Sequence, residues 1–356
     1  MGVSPRQMKV GINLATSGSW GTGVAVATAV GAGDGHYVRD DLGVALQMMQ
    51  SADDSAGQNF IGSVQSGNTE AVAVTVPAYL HYNDAFQNVL WALTLGTGGT
   101  SPTQVGVTTA YTNTFEPATN KTGRYATIVR DKVSMVSEVP GVKFTGFDLS
   151  FGEAGRAEIT WSAVGDLEKS DSSINTATQV SALTFPTLGR RAFFDDATLR
   201  LNAQSGGALG AGDKVFVTSI RVRFSQPMDS KHVSGATSII EPEESGFPDI
   251  GVDLEFARYD SASHAFFAVH RDTTAYKADL TFVGPTLATT TYGLLFQFPN
   301  MVVTSFKAPG SGGADQVAPS MSLRGLSTTA APTGMTGVTA PMRVVTTGVS
   351  TTSPFA

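Results

Sequence analysis

The chain has 356 residues, of which 15% are charged and 41% hydrophobic, with 39 glycines, no cysteine and a formal net charge of -7. Its length suits two domains of ordinary size better than a single core. The lack of cysteine excludes a disulfide framework, a thiolate metal site and a cysteine nucleophile, and the acidic balance argues against a general nucleic-acid-binding surface, which needs clustered Lys and Arg.

Residues 1–8 lack an apolar signal core and no apolar run is long enough to span a bilayer, so a soluble protein not exported by a standard route is expected. The first fifty residues alternate short apolar runs with glycine turns, as in Gly31-Ala32-Gly33-Asp34-Gly35, whose spacing is not that of a phosphate-binding loop. Asn83 or Asp84 is placed to cap a helix carrying Phe86, Val89, Leu90 and Leu93 and stopped by Gly96. A shorter companion helix is expected around Ala262 to Val269. The stretch Gly96 to Gly123 is Thr- and Gly-rich and nearly uncharged, the composition of a functional or mobile loop.

Most of the remainder reads as strands with one buried and one wet face. Phe147, Leu149 and Phe151 alternate with Asp148 and Ser150; Ile159, Trp161 and Ala163 with Glu158, Thr160 and Ser162. Ile220, Val222 and Phe224 alternate with Arg221 and Arg223, and Val252, Leu254 and Phe256 with Asp253 and Glu255. If the last two strands are neighbours, Arg221 and Asp253 are placed to pair. The segments also repeat. Val139-Pro140-Gly141 through Phe147, then Trp161 to Leu167, has a counterpart in Phe298-Pro299-Asn300 through Phe306, then Ser320 to Leu326, and Val74 to Asn83 matches Val252 to Asp260.

Catalytic signatures are sparse. The five histidines, His36, His81, His232, His264 and His270, form no i, i+4 pair and no metal pattern. The carboxylate pairs Asp40-Asp41, Asp53-Asp54, Asp195-Asp196 and Glu243-Glu244 are adjacent in sequence, so on strands they point to opposite faces. Neither Asp34 nor Glu241 to Glu244 has the ligand spacing of a calcium loop. A structural or binding protein, with no catalytic residue, metal or cofactor, is therefore expected.

Four features together resemble the tail tube, or major tail, proteins of long-tailed bacteriophages, in particular the type with two tube domains in tandem. They are Ser19-Trp20-Gly21-Thr22-Gly23, the run Phe194 to Ala203, the block Ile239-Ile240-Glu241-Pro242 and the repeated Pro-to-Gly segments. The resemblance implies a mainly β chain of two antiparallel β-sandwich, tube-like domains, each with one short flanking α-helix and each lending strands to an intermolecular β-barrel. The expected layout is residues 1–167, a linker at 168–180, a second domain at 181–350 and a tail at 351–356. It also implies a homotrimer forming a pseudo-hexameric ring, rings stacking into a virion tail tube, and double-stranded DNA passing through without specific binding. Self-contacts and other tail proteins at the tube ends are the implied partners, without membrane insertion, and synthesis is in the host cytoplasm. Asp148, Glu158, Asp253 and Glu255 are candidate wet-face or luminal charges. Gly96, Thr97, Gly98, Gly99, Thr109, Tyr111 and Phe115 are candidates for an inter-ring loop, whose deletion from Thr97 to Asn120 is expected to spare the fold. Other readings from the same residues are a decoration, baseplate or capsid component, a β-rich adhesin-like surface protein, or a β-sandwich hydrolase.

Overall fold

The computed structural model describes residues 9–14, 19–26, 35–45, 48–52, 64–69, 71–82, 85–97, 101–133, 135–170, 174–185, 187–236, 238–257, 274–307, 319–351 and 353–355. The chain is mainly β and its strand pairings are antiparallel. The first half contains β1 (Lys9–Leu14), β2 (Gly35–His36), β3 (Gly43–Ala45), β4 (Met48–Ala52), β5 (Val64–Thr69), β6 (Val72–Tyr79), α1 (Ala85–Leu95), β7 (Thr103–Gln104), β8 (Tyr111–Phe115), β9 (Ala126–Asp131), β10 (Val136–Gly152), β11 (Glu158–Gly165), β12 (Lys169–Ser170) and α2 (Ala177–Ser181). The second half contains β13 (Ala197–Ala203), β14 (Lys214–Val215), β15 (Val217–Ser225), β16 (Met228–Asp229), β17 (Glu243–Glu244), β18 (Asp249–Phe256), β19 (Tyr276–Leu287), β20 (Thr290–Lys307), β21 (Ser320–Gly325) and β22 (Arg343–Gly348).

The two halves follow one plan. In the first, pairings run β2–β1–β9–β10–β11–β6–β3, with β12 also on β10. In the second they run β14–β13–β19–β20–β21–β18–β15, with β22 also on β20. The irregularities recur as well. Val139 and Val142 face Ile128 and Ala126 with Pro140-Gly141 bulged between them; Phe298 and Met301 face Ala278 and Tyr276 with Pro299-Asn300 bulged between them. A bulge is where a strand tolerates proline, since the missing N–H leaves no ladder bond broken. Further along, Thr145 and Thr304 occupy a second bulge, and each donates its hydroxyl across the ladder, to the Ser162 carbonyl at 3.2 Å and the Ser322 carbonyl at 3.1 Å.

The halves join through their long strands. Gly146 to Gly152 of β10 pair with Ser225 to Ser219 of β15, which makes one sheet ordered β3–β6–β11–β10–β15–β18–β21–β20. At this junction Gly146 must lack a side chain: a Cβ there would lie 2.2 Å from the Phe224 carbonyl oxygen. No succession of pairings among the described strands returns to its starting strand, so within one molecule the sheet is open.

One hydrophobic core serves both halves. Its centre is Trp91 on α1, fully buried, with ring centroids 4.9 Å from Phe147, 5.8 Å from Trp161 and 5.6 Å from Phe296 of the second half. Leu90, Leu93 and Leu95 are buried beside it, and Gly96 ends the helix with φ +81. Asn83 and Asp84, expected as its cap, and the companion helix at 262–269 lie outside the described residues. The stretch 168–180 carries β12 and the start of α2, with Asn175 buried against Glu138 and Val26.

Since Trp91 touches strands from both halves, Trp91→Ala is expected to cost about 3–5 kcal/mol and to lower stability in one cooperative urea transition. Two separated transitions, with only the first-half one shifted, would contradict the shared core.

Candidate functional site

The wet side of the eight-strand sheet is built by the period-2 alternation of its strands. The opposite side carries Val76, Trp161, Phe147, Val222, Leu254 and Met321, all buried. The wet side presents hydroxyls, among them Ser150, Thr160, Ser162, Ser225, Ser320 and Ser322, together with charges. Asp148, Glu158, Asp253 and Glu255 all lie on it. Asp148 receives both the Nε of Arg221, at 2.9 Å, and its Nη2. Arg223 holds Asp253 at 2.8 Å, Arg324 holds Asp249 at 3.0 Å and Arg39 holds Glu158. Strands β15 and β18 are neighbours with Arg221 directly opposite Asp253, yet the ion pairs run to Asp148 on the other side and diagonally from Arg223. The hydrogen bonds to Asp148 raise the Arg221 pKa further. Of the four candidate carboxylates Asp148, Glu158 and Asp253 are each paired with an arginine, leaving a polar surface of mixed charge.

The stretch 96–123 is more tightly held than its composition suggests. Residues Thr103–Gln104 and Tyr111–Phe115 form a hairpin, and β8 pairs along its whole length with β22 of the second half. Phe115 is fully buried in the common core and Tyr111 sits opposite Gly348. Gly96 belongs to the helix end, and the Thr97 hydroxyl donates to the Glu116 carbonyl at 2.6 Å. Gly98 and Gly99 lie outside the described residues. The hairpin tip projects, with Thr109 in it and Val107 fully exposed. Phe115 is therefore a core residue and has no surface to offer a second ring. Deleting Thr97 to Asn120 would remove a strand as well as a loop, so the expectation that the fold survives it is withdrawn. Low charge and abundant Thr read as a loop in the sequence because β8 finds its partner more than two hundred residues away.

A second cluster went unnoticed in the sequence because lysines are rarely buried. Lys143 and Lys121 are each 1% exposed. The Lys143 ammonium donates to Glu241 Oε1 at 2.9 Å and to the Pro242 carbonyl at 2.8 Å. Glu241 Oε1 also accepts the Gly123 amide at 2.8 Å, and Glu244 Oε1 the Lys121 amide at 2.7 Å. The Lys121 ammonium donates to the Thr94 carbonyl and stands 5.1 Å from the Phe224 ring centroid. Trp20 adds a bond from its indole N–H to the Ile239 carbonyl at 3.0 Å. The acidic run Glu241 to Glu244, weighed as a calcium ligand, here satisfies buried lysines and amides from the first half.

Among the described residues no group of three or more His, Cys, Asp or Glu is placed to hold a metal ion. His36 on β2, opposite Val10 of β1, is buried, and its pKa is held well below the ordinary histidine value by desolvation. His81 lies beside the Gly189 carbonyl, with its pKa also lowered by burial. His264 and His270 lie outside the described residues. A small cavity of about 30 Å³, lined by residues that include His81, Gln87, Trp91 and Thr346, has room for water. A shallow groove between Trp20, Asp166 and Glu241 is open to solvent. No helix among the described residues is long and apolar enough to cross a membrane. Compared with known proteins, the chain matches no family model and no curated protein.

Burial lowers the Lys121 pKa to about 8, outweighing the opposing pull of Glu244. The folded state releases this proton near pH 8 while the unfolded chain keeps it until about 10.5, so the unfolded state binds more protons between them and stability rises with pH there. Urea midpoints are expected to climb from pH 8 to pH 9.5, and Lys121→Met is expected to reduce this climb. A midpoint for the wild type that is flat or falling across the same interval would contradict the assignment.

Proposed function

We propose that this protein is a structural, non-enzymatic virion component that assembles into stacked rings, forming the tail tube of a long-tailed bacteriophage. The observation that carries the reading is the eight-strand sheet: the same four-strand unit occurs twice, joined head to tail, with one continuous polar face and with β3 at one end and β20 at the other. A heterologous join of this kind closes into a ring when its rotation closes. Three copies would supply six units and three times eight strands. At about 4.8 Å per strand and roughly 40° tilt, that barrel is about 50 Å across at the backbone, wide enough for a DNA duplex.

In this reading the two halves act as two tube domains, the polar face lines the channel and the apolar core with α1 lies outside it. The lining suits a conduit better than a binding site. Phosphate binding draws on unpaired Lys and Arg, whereas Arg221, Arg223 and Arg324 are each committed to a carboxylate. Partners are further copies of the chain and other tail proteins at the tube ends, and no cofactor has a role.

Negative-stain electron microscopy of the purified full chain is the direct test, with stacked annular particles expected. Monomers under every condition of salt, pH and concentration would overturn the reading. The exposed hairpin tip supplies a finer test. Val107→Asp touches no core atom and is expected to leave stability within about 0.5 kcal/mol while shortening the stacks. Tubes of unchanged length from this variant would remove the tip from the ring-to-ring contact.

A further inference from the structure

At one end of the wet face two arginines stand without a carboxylate. Tyr79 ends β6 directly opposite Glu158, the first residue of β11, so both side chains lie on the wet face at that end of the sheet. Two guanidinium groups stand over the Tyr79 ring, that of Arg191 at 4.5 Å from the ring centroid and that of Arg156 at 5.6 Å. Arg156 is exposed and Arg191 half-buried. The carboxylates in the adjoining sequence are already taken, Glu158 by Arg39 and Asp196 by Arg190 at 3.0 Å. Among the described residues the side chains of Arg156 and Arg191 form no ion pair and no hydrogen bond, and their contact is with Tyr79.

The backbone that carries these side chains is laced together. The Leu80 amide donates to the Ala157 carbonyl at 2.9 Å, the Ala157 amide to the Ala192 carbonyl at 3.0 Å and the Ala192 amide to the Leu80 carbonyl at 2.9 Å. Gln87 of α1, itself buried, donates to the Tyr79 carbonyl at 2.7 Å and accepts the His81 amide at 3.2 Å. The segment that brings Arg191 into place passes so close to the chain that Gly189 must lack a side chain: a Cβ there would lie 1.6 Å from the Tyr82 carbonyl oxygen. Two like charges are thus held against one ring by a fixed frame.

We infer that Arg156 and Arg191, over Tyr79, form an anion site that takes one phosphate of a duplex nucleic-acid backbone and shares it between two guanidinium groups. Phosphate binding by the pair rests on the geometry of the single chain; that the phosphate belongs to duplex DNA rests on the ring reading above. Two guanidinium groups beside one ring repel each other, and an anion bound to both removes that repulsion. A guanidinium stacks on an aromatic face and still presents a planar fork of donors that fits phosphate oxygens. The contact is local, since Arg221, Arg223 and Arg324 elsewhere on the face are committed to carboxylates. In a ring of three copies the site recurs three times at one level of the channel wall, where a passing duplex meets it without regard to sequence.

Fluorescence anisotropy of a fluorescein-labelled DNA duplex, titrated with the purified full chain at low salt, tests the site. Wild type is expected to bind, and Arg156→Gln combined with Arg191→Gln to lose most of that affinity. Each neutralised phosphate steepens the fall of log K with log salt by about 0.9, so the double variant is expected to gain about eightfold less affinity than wild type from a tenfold drop in salt. Lys132→Gln combined with Lys231→Gln removes the same formal charge from lysines paired with Asp41 and Asp229, and is expected to leave the affinity at the wild-type value. Arg156→Gln alone, at an exposed turn residue, is expected to weaken binding without touching the fold. No binding by wild type, or equal losses from the arginine and lysine pairs, would overturn the site. Calorimetric binding of pyrophosphate that the arginine variant abolishes, with duplex binding unmoved, would overturn the duplex as the source of the phosphate. Duplex binding that depends on the pair in a sample without rings would leave the site standing and count against the ring reading, and rings whose duplex binding ignores the pair would do the reverse.

Discussion

The structure depends on the antiparallel join between β10 and β15. A sheet with an uncovered edge is incomplete, and each four-strand half has one: the outer half of β10 in the first, the outer side of β15 in the second. Each covers the other. The long strand makes this possible, since the seventeen residues of β10 pair with β9 near the start and with β15 near the end. A bulge lies between the two pairings, letting one strand turn from one layer to the next without breaking its hydrogen-bond ladder. Aromatic packing follows from that geometry: Phe147 stacks on Phe224 at 5.9 Å across the join, and Phe151 meets Phe282 at 5.0 Å.

Buried charge reinforces the same join from the side. Lysines taken out of water are costly unless each proton finds an acceptor. Lys143 on β10 finds its acceptors in the segment leading into β18, and Lys121, beside Phe224, donates to the Thr94 carbonyl on α1. Lys277 in the second half follows the same rule, donating to the Gly206 carbonyl at 2.7 Å and the Thr333 carbonyl at 3.0 Å. Such networks add little net stability, yet they penalise any arrangement in which the loop is displaced, because an ammonium would then be left buried alone.

Much of the fold was legible in the sequence. Strict alternation in Ile220 to Phe224 and Val252 to Phe256 marked strands with one wet face, and the Val139-Pro140-Gly141 and Phe298-Pro299-Asn300 segments proved to share a bulge as well as a composition. The alignment of Val74 with Val252 holds in the ladder to the residue. What stayed hidden was long-range. Nothing local shows that Tyr111 to Phe115 will pair with Arg343 to Gly348, since strand pairing is a property of two distant segments together. Buried lysines were equally invisible, because a lysine reads as solvent-exposed until its acceptors are known. The wet-face carboxylates could be named from alternation, but the arginines paired with Asp148, Glu158 and Asp253 required the register.

The pairing of β8 with β22 has no counterpart in the first half's own plan, where β12 is only two residues long. It straps an insertion from one half onto the edge of the other, and Phe115 at its end is sealed under the common core. Once such a strap exists, neither half remains a self-sufficient polypeptide: the first would expose β8, the second would bare β22. The pair of halves, rather than either one, is therefore the unit that folds.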